Sequence, residues 1–227
     1  MGFPKGSKGA ISVMPSPLEK ARQAPDSMKG RILSAARKLY GEYGFHGVTA
    51  RMIATEVGID VSTLYYHWGD KQDLYEAVLT DLNEEIRQKL AEIEKIVRGQ
   101  PIDVRLAVAI DVMCDHLFQN PETSNLMLFS FFSKTRTQAD LDTRMTEHLA
   151  NIAVAMGLAL DKSHVPPQAN ARVLAVWNSV VSFTAGKDFF KALLKLGHQE
   201  YAAVVKESLK FILIPAFTGE PDEAVNP

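Results

Sequence analysis

Apolar residues recur at helical spacing along most of this chain. Between Met28 and Tyr43 they occupy positions 32, 35, 36, 39, 40 and 43, which is the spacing of one face of an α-helix. Gly44 then provides a helix stop. Thr49 is suited to cap a second helix, and Gly58 ends that helix. The pattern therefore predicts two helices joined by a short connection.

A third short helix is predicted to open near Ser62, after the four residues GIDV. Two short helices joined by a tight turn that contains glycine form a helix–turn–helix. In that motif the second helix enters the major groove, and its first residues meet base edges. Leu64 is the one clearly inward-pointing aliphatic residue of this helix. We therefore predict that its neighbours form a DNA-facing surface.

The rest of the chain has a helical pattern. One long amphipathic helix is predicted from about Asp70, its cap, to Val97, and a helix of this length connects two bodies. Further helical segments are predicted at approximately 103–119, 123–134, 139–159, 168–196 and 199–217. There is no alternating strand pattern and no internal repeat. The expected fold is all-α, with an N-terminal three-helix helix–turn–helix domain and a larger C-terminal helical bundle that holds a ligand pocket and a dimer interface.

The predicted divisions of the chain are a mobile basic N-terminal tail (1–27), a helix–turn–helix DNA-binding domain (28–75), a helical ligand-binding and dimerisation domain (76–217) and a flexible C-terminal tail (218–227). The N-terminal tail combines Gly, Pro, Ser and Lys with little periodicity. Either it is simply disordered or it is an arm that follows DNA phosphates through Lys5, Lys8, Lys20 and Arg22.

Charge is distributed unevenly along the chain. The formal net charge is -2, yet residues 1–75 contain 10 Lys and Arg against 7 Asp and Glu, and the remainder contains 15 against 20. A basic first third suits a chain whose N-terminal end meets an anion. The longest apolar runs are too short to span a bilayer, for which about 20 residues are needed. With no signal-peptide pattern and a single cysteine, Cys114, we expect a cytoplasmic protein with no membrane partner.

The residues around Leu64 have side chains suited to DNA. The hydroxyls of Ser62 and Thr63 can bond bases or phosphates, and a threonine methyl can meet a thymine methyl. Tyr65, Tyr66 and His67 are broad side chains that reach phosphate oxygens, and such contacts set the register of a protein on DNA.

Lys71 is predicted in the first turn of the following helix, where free N–H groups also favour a phosphate. The alternative is that the aromatic residues belong to the core and that Lys71 is simply solvated. For Tyr65 and Trp68 this packing alternative stays open.

The segment 32–79, "ILSAARKLYGEYGFHGVTARMIATEVGIDVSTLYYHWGDKQDLYEAVL", resembles the DNA-binding domain of TetR/AcrR transcriptional regulators. The resemblance implies that Thr49 and Arg51 contact backbone phosphate and that Lys71 clamps phosphate. Trp68 departs from the family, which usually has Phe there. The resemblance also implies a recognition surface formed by Val61, Ser62, Thr63, Tyr66 and His67.

The same resemblance implies a homodimer whose variable C-terminal domain binds a small molecule that relieves DNA binding. Small and aliphatic residues are abundant in segments 168–196 and 199–217, which favours a four-helix dimer interface, although a buried monomer core is the alternative. A two-fold dimer places its recognition helices about 34 Å apart, or a multiple of that distance, and predicts a palindromic operator.

A pocket between bundle helices should be mostly apolar with a few polar groups. Apolar side chains are interleaved with polar ones in this half, and each of them is also a candidate for ordinary core. Because Met packs adaptably, the pattern hints at a bulky hydrophobic ligand such as an acyl chain or an aromatic compound. The predicted pocket residues are Met113, His116, Phe118, Met127, Phe131, Trp177 and Asn178.

Other chemistries find little support in the sequence. His116 with Asp111 or Asp115 is a thin set of ligands for a metal. There is no phosphate-binding glycine loop, and Cys114 has no motif of a nucleophile. We therefore expect no metal, no cofactor and no enzyme. The predicted function is that of a ligand-responsive, sequence-specific repressor released from its operator by a small, hydrophobic molecule. The alternative is a helical lipid-binding or interaction module without DNA function.

Overall fold

A computed structural model describes residues 15–132 and 138–218. Within these ranges the chain forms α-helices and no β-strand, which confirms the all-α prediction. The helices are α1 (Pro17–Gln23), α2 (Met28–Gly47), α3 (Ala50–Val57), α4 (Val61–Trp68), α5 (Lys71–Val97), α6 (Ile102–Gln119), α7 (Pro121–Phe132), α8 (Gln138–Ala155), α9 (Pro167–Ala185), α10 (Lys187–Leu194) and α11 (His198–Thr218).

Helix α1 lies inside the segment that the sequence predicts to be a mobile tail, and for residues 17–23 that prediction is wrong. Ser16 and Glu19 form a reciprocal capping box that starts the helix, with the Ser16 N–H donating to Glu19 Oε2 at 2.6 Å. Ala21 is buried against the core, and Arg22 Nε lies 2.7 Å from Asp81 Oδ1 on α5. The predicted three-helix head therefore has a fourth helix packed on it. Lys5 and Lys8 lie outside the described residues.

Helix α2 is interrupted at Gly44, the predicted stop, before a short helical turn that ends at Gly47. Its start agrees with the prediction, because Ser27 caps it by accepting the Gly30 N–H at 3.2 Å. Gly44 has φ 68°, a left-handed conformation that glycine tolerates, and it kinks the helix. A further helical turn follows as far as Gly47, so the glycine ends the first part of α2 where the sequence predicts a stop.

Helix α5 runs unbroken from the N-terminal helices into the bundle. Asp70 caps it and Val97 ends it, as predicted. Its buried side belongs to one continuous core cluster that extends from α1 to α11. Because no gap in packing separates the two halves of the chain, the boundary between residues 75 and 76 stays a prediction.

The C-terminal helices depart from the predicted segments at one place. The sequence predicts a single helical segment over 168–196, but Gly186 separates α9 from α10, and Lys195 ends α10 with φ 57°. Helices α6, α7, α9 and α11 pack together, whereas α8 packs mainly on α9. In the part of the chain that the structure describes, no helix is both long and apolar enough to cross a membrane. The predicted C-terminal tail lies, apart from Thr218, outside the described residues.

Gly41 permits the close approach of α2 to α7. A Cβ at this position would lie 2.7 Å from Glu122 Cβ and 3.0 Å from Glu122 Cα. We expect Gly41→Val to lower the free energy of unfolding by about 1–3 kcal/mol through overpacking. Urea unfolding measures this loss.

Ser34→Val is the matched control, because Ser34 is exposed on the same helix and the substitution introduces the same β-branched residue. A similar loss in both variants would contradict the packing explanation and assign the effect to helix propensity.

Candidate nucleic-acid interface and interior cavity

The helix–turn–helix is formed by α3, a tight turn and α4. Thr49 Oγ1 accepts the Met52 N–H at 3.2 Å and starts α3. Gly58 ends that helix with φ 77°, a left-handed conformation that favours glycine. Asp60 Oδ1 then accepts the Thr63 N–H at 2.9 Å and starts α4. The turn between the helices therefore spans 58–60, close to the predicted position.

Two residues fix α4 to the core. Leu64 is fully buried, as predicted, and Trp68 is also buried, with its Nε1 donating to the Lys29 carbonyl at 3.2 Å. For Trp68 the packing alternative is therefore correct. Tyr65 and Tyr66 point outward, and 47% and 85% of their surfaces are exposed. An aromatic side chain exposed to this degree contributes little to packing, so its surface is available to a partner.

The hydroxyls at the start of α4 face the capping carboxylate. Ser62 Oγ donates to Asp60 Oδ1, and Thr63 Oγ1 lies 3.2 Å from the same oxygen. The hydrogen bond from Ser62, with those from Thr63, lowers the pKa of Asp60. The carboxylate therefore stays ionised and holds both hydroxyl hydrogens. Each hydroxyl must turn away from Asp60 before it can donate to a base.

The end of α4 carries a cation that sequence reasoning missed. Lys29 Nζ donates to the His67 carbonyl at 2.6 Å, where the negative end of the helix dipole favours positive charge. Partial burial lowers the pKa of His67, and the charge of Lys29 lowers it further, so this imidazole is neutral at pH 7. Arg31 is also bonded to backbone, since Nη2 donates to the Val57 carbonyl at 2.7 Å. Lys29 is 38 positions from His67, and Arg31 is 26 positions from Val57. No local sequence pattern indicates contacts over such separations.

Lys71 has a partner set that the sequence did not predict. Its Nζ donates to the carbonyls of Phe45 and Val48, at 2.8 Å each, and lies 4.1 Å from the Phe45 ring centroid. Lys71 therefore clamps the chain just before Thr49. An ammonium has three N–H donors, so one remains for a phosphate, and that contact stays a prediction. Arg51 is exposed on α3.

Val61 is half-buried and packs against the core. It therefore differs from the exposed members of the predicted recognition surface, and its contact with DNA stays a prediction.

Arg37 on α2 forms a charged junction with α5 and α7. Its guanidinium donates to Glu85 Oε2 on α5 and, at 2.7 Å, to Thr123 Oγ1 on α7. Arg37 Nε lies 3.5 Å from Glu122 Oε1. On the other side, His116 Nε2 lies 2.8 Å from Glu85 Oε1. We call Arg37, Glu85, His116, Glu122 and Thr123 the Arg37 junction.

The ionisation of Glu85 follows from these contacts. Burial raises the pKa of its carboxyl, but the hydrogen bond and charge of Arg37, together with His116, outweigh burial and leave that pKa lowered. Glu85 is therefore ionised at neutral pH and pairs with Arg37.

A cavity of about 710 Å³ lies among α5, α6, α8 and α9. Its volume falls within the range of small-molecule pockets. Three predicted pocket residues, Met113, Met127 and Trp177, line it. Other apolar side chains of the wall are Ile86, Leu90, Ile93, Val97, Leu106, Ile110, Ile152, Met156, Val173 and Val180. Most of these come from α5, α8 and α9, and no pattern in the sequence indicates that their apolar faces surround a space.

Four predicted pocket residues lie elsewhere, and for them the prediction is wrong. His116 belongs to the Arg37 junction. Phe118 packs in the core, with its ring centroid 5.9 Å from that of Tyr201. Phe131 and Asn178 are exposed. A helical face alone does not tell whether a residue meets a cavity, a neighbouring helix or solvent.

Two further observations concern nucleophilic catalysis and metal binding. Cys114 is buried, and burial raises the pKa of its thiol to about 12, so it is not a reactive nucleophile. The part of the chain that the structure describes contains no group of three or more His, Cys, Asp or Glu residues placed to hold a metal ion.

The described residues thus combine an exposed helix–turn–helix head with an apolar cavity in an all-α fold. The sequence model of the bacterial regulatory proteins of the tetR family matches residues 32–78. The match covers the helix–turn–helix head, and for this segment it agrees with the resemblance noted from the sequence.

Curated relatives agree with this assignment. The transcriptional repressor AcnR of Corynebacterium glutamicum is 25% identical over 109 residues, which cover 44% of this chain and 58% of AcnR. The transcriptional regulator RutR of Escherichia coli K12 is 36% identical over 63 residues, which cover 28% of this chain and 30% of RutR. The chain thus matches less than two thirds of the length of either relative. Both relatives are transcription regulators.

The fold as a whole is also found in solved structures. The transcriptional regulator FadR from Bacillus subtilis, solved in complex with stearoyl-CoA, matches 81% of this chain and 96% of its own, with a TM-score of 0.59 and 14% identity. At this identity the likeness establishes the fold alone.

The Arg37 junction generates a prediction about stability. At neutral pH we expect Arg37→Met to lower the free energy of unfolding by about 3 kcal/mol, because it leaves the carboxylate of Glu85 without its cation. The pKa of Glu85 is lowered in the folded protein, so its contribution is present above the ordinary carboxyl pKa and is lost as the pH falls through the folded value. The difference between wild type and variant should therefore shrink in acid. Urea unfolding at pH 7 and pH 4 measures it.

Lys38→Met is the control, since the neighbouring Lys38 pairs with Glu56 on the surface. An exposed pair of this kind contributes at most about 1 kcal/mol. Equal losses in the two variants, or a difference that persists in acid, would contradict the junction's role.

Proposed function

We propose that this protein is a dimeric transcription repressor that binds a palindromic operator through α4 and is released by a small apolar molecule bound in the cavity. The observation that carries the proposal is the position of α5. This helix starts at Lys71, directly after the DNA-facing helix, and its later turns line the cavity through Ile86, Leu90 and Ile93. One rigid element thus joins the two candidate sites.

The exposed surface of α4 supports a role in DNA binding. Tyr66 projects from the helix without packing on the core, and Tyr65 is half exposed beside it. Thr63 lies in the first turn, where a recognition helix meets base edges. We assign base reading to Thr63 and phosphate contact to Tyr66, Thr49 and Arg51.

Release requires that the effector favour one arrangement of the heads over another, because a ligand with equal affinity for two states shifts neither. The Arg37 junction supports a rigid-body switch. It ties α2 to α5 and α7 through Glu85 and Thr123, so a displacement of α5 by a cavity ligand carries the head with it. In a dimer this displacement changes the spacing between the two recognition helices.

DNA binding is tested by fluorescence anisotropy of a labelled fragment from immediately upstream of the protein's own gene, beside an unrelated fragment, at several salt concentrations. We expect tight binding that prefers the native fragment and weakens with salt. Tyr66→Ala should weaken binding about tenfold and leave the melting temperature unchanged, because 85% of the side chain is exposed.

Ile96→Ala is the control, since Ile96 is an exposed apolar residue at the opposite end of α5 from the head. Weak, salt-independent binding to both fragments, confirmed by selection from a random DNA library, would contradict the DNA role and favour a helical ligand-binding module without DNA function.

The C-terminal helices support dimerisation. Four large apolar side chains on α10 and α11 are more than half exposed, at 69% for Phe189, 66% for Leu193, 81% for Phe211 and 62% for Ile212. Exposed apolar groups gathered in this way mark an association surface. We propose that these helices, with α9, form the two-fold interface.

We expect the wild-type protein to sediment as a dimer and Phe211→Asp to sediment as a monomer at micromolar concentration, because the variant places a charge within an apolar interface. Sedimentation velocity measures both. In a single protomer Phe211 is exposed to solvent, so the substitution should not disturb the fold. The far-ultraviolet circular dichroism of the variant should therefore match that of wild type. A dimeric Phe211→Asp variant, or a monomeric wild type, would rule out this interface.

A further inference from the structure

In the described part of the cavity wall, each arginine is already paired with a carboxylate. Arg87 Nη2 lies 2.6 Å from Glu84 Oε1, and Arg105 Nη2 lies 3.1 Å from Glu94 Oε2. The third arginine of the wall, Arg22, lies 2.7 Å from Asp81, which is outside the wall. A ligand carboxylate or phosphate would therefore have to share a cation whose charge a protein carboxylate already compensates.

The positive and negative formal charges of the cavity wall are also equal in number. Among the residues that the structure describes, the lining contains three arginines and three glutamates, the third glutamate being the exposed Glu147. A charged group that leaves water for this space gains no unpaired counter-ion there, and desolvation of an ion is costly when nothing compensates for it.

Two uncharged polar atoms stand out in the same wall. His148 Nε2 and Asn151 Oδ1 on α8 are buried and have no protein hydrogen-bond partner. Their spacing of three residues places them on one face of the helix, next to each other. Burial lowers the pKa of His148, and the charge of Arg87 lowers it further, so this imidazole is neutral at pH 7.

A ligand that fills the cavity removes these two atoms from any solvent. Displacing water from polar groups loses affinity unless the ligand reproduces the hydrogen bonds. A hydroxyl both donates and accepts, and it therefore pairs with either orientation of an asparagine amide and with either tautomer of a neutral histidine.

We propose that the effector is an uncharged amphipathic molecule whose apolar body fills the cavity around Trp177 and whose single hydroxyl bonds to Asn151 and His148. This inference rests on the proposed effector site and adds its chemical class. Long-chain carboxylates, acyl thioesters of a phosphorylated carrier and alkylammonium ions are thereby disfavoured.

The test compares decan-1-ol, decanoate and decyltrimethylammonium, which share one chain length and differ in the charge of the head group. The protein contains two tryptophans, Trp68 in the head and Trp177 in the cavity wall. Fluorescence titration of the full-length Trp68→Phe variant therefore reports on the cavity alone. Thermal shift of the wild-type protein gives a second readout that does not depend on the substitution.

We expect the dissociation constant for decan-1-ol to be at least about tenfold lower than for either ion, in line with the cost of desolvating an uncompensated charge. Asn151→Leu should raise the dissociation constant for decan-1-ol about threefold or more, because the hydroxyl loses a partner. Asn178→Leu is the matched control and should leave the constant unchanged, since Asn178 is exposed and does not line the cavity.

Tighter binding of decanoate or decyltrimethylammonium would overturn the inference while keeping the cavity as an effector site. An unchanged constant in Asn151→Leu would overturn the assignment of the hydroxyl. If none of the three compounds binds, both the inference and the effector half of the proposed function fail. The DNA titration then decides separately whether the head binds DNA, so the two failures are distinguishable.

Discussion

The half-buried guanidinium of Arg37 is the constraint on which the arrangement of this protein depends. A cation in this position requires partners for its charge, and it finds them on α5 and α7 through Glu85, Glu122 and Thr123. These contacts fix the direction in which α2 leaves the bundle. Apolar packing between the same helices is not directional, whereas the junction has one favourable geometry. The orientation of the head is thus set by a charged contact in an otherwise apolar boundary.

Helix α5 transmits this constraint to the cavity. Its first turn, capped by Asp70, holds the connection before Thr49 through Lys71, its middle carries Glu85, and its later turns wall the cavity from Ile86 onward. Because Glu85 and Ile86 are adjacent, a ligand that presses on one face of α5 acts directly beside the Arg37 junction. The coupling between the sites needs no chain of intermediate residues, only one rigid helix and one polar contact.

Local signals in the sequence predicted much of the fold. The caps at Thr49 and Asp70 and the buried Leu64 depend on neighbouring residues and on helical period, and the structure has them where they were expected. Helix α1 was missed although its capping box is also local, because a stretch rich in proline and lysine resembles a linker. His116 was misplaced for a different reason. Its partner is 31 residues away, and periodicity places a side chain on a helix face without telling what that face meets.

The excess of positive charge in the first third of the chain is larger than the positive charge that its surface would present to DNA. Lys29, Arg31 and Lys71 direct their charged groups at backbone carbonyls, and Lys38 pairs with Glu56. These cations hold α2, α3 and α4 together at helix ends, where dipoles favour them. If the head binds DNA as proposed, the electrostatic attraction of one head for phosphate is modest, and the uncharged groups of α4 provide more of the contact. In the proposed dimer, a second head on the same operator would add affinity through effective concentration, and the spacing of the two heads would then control release.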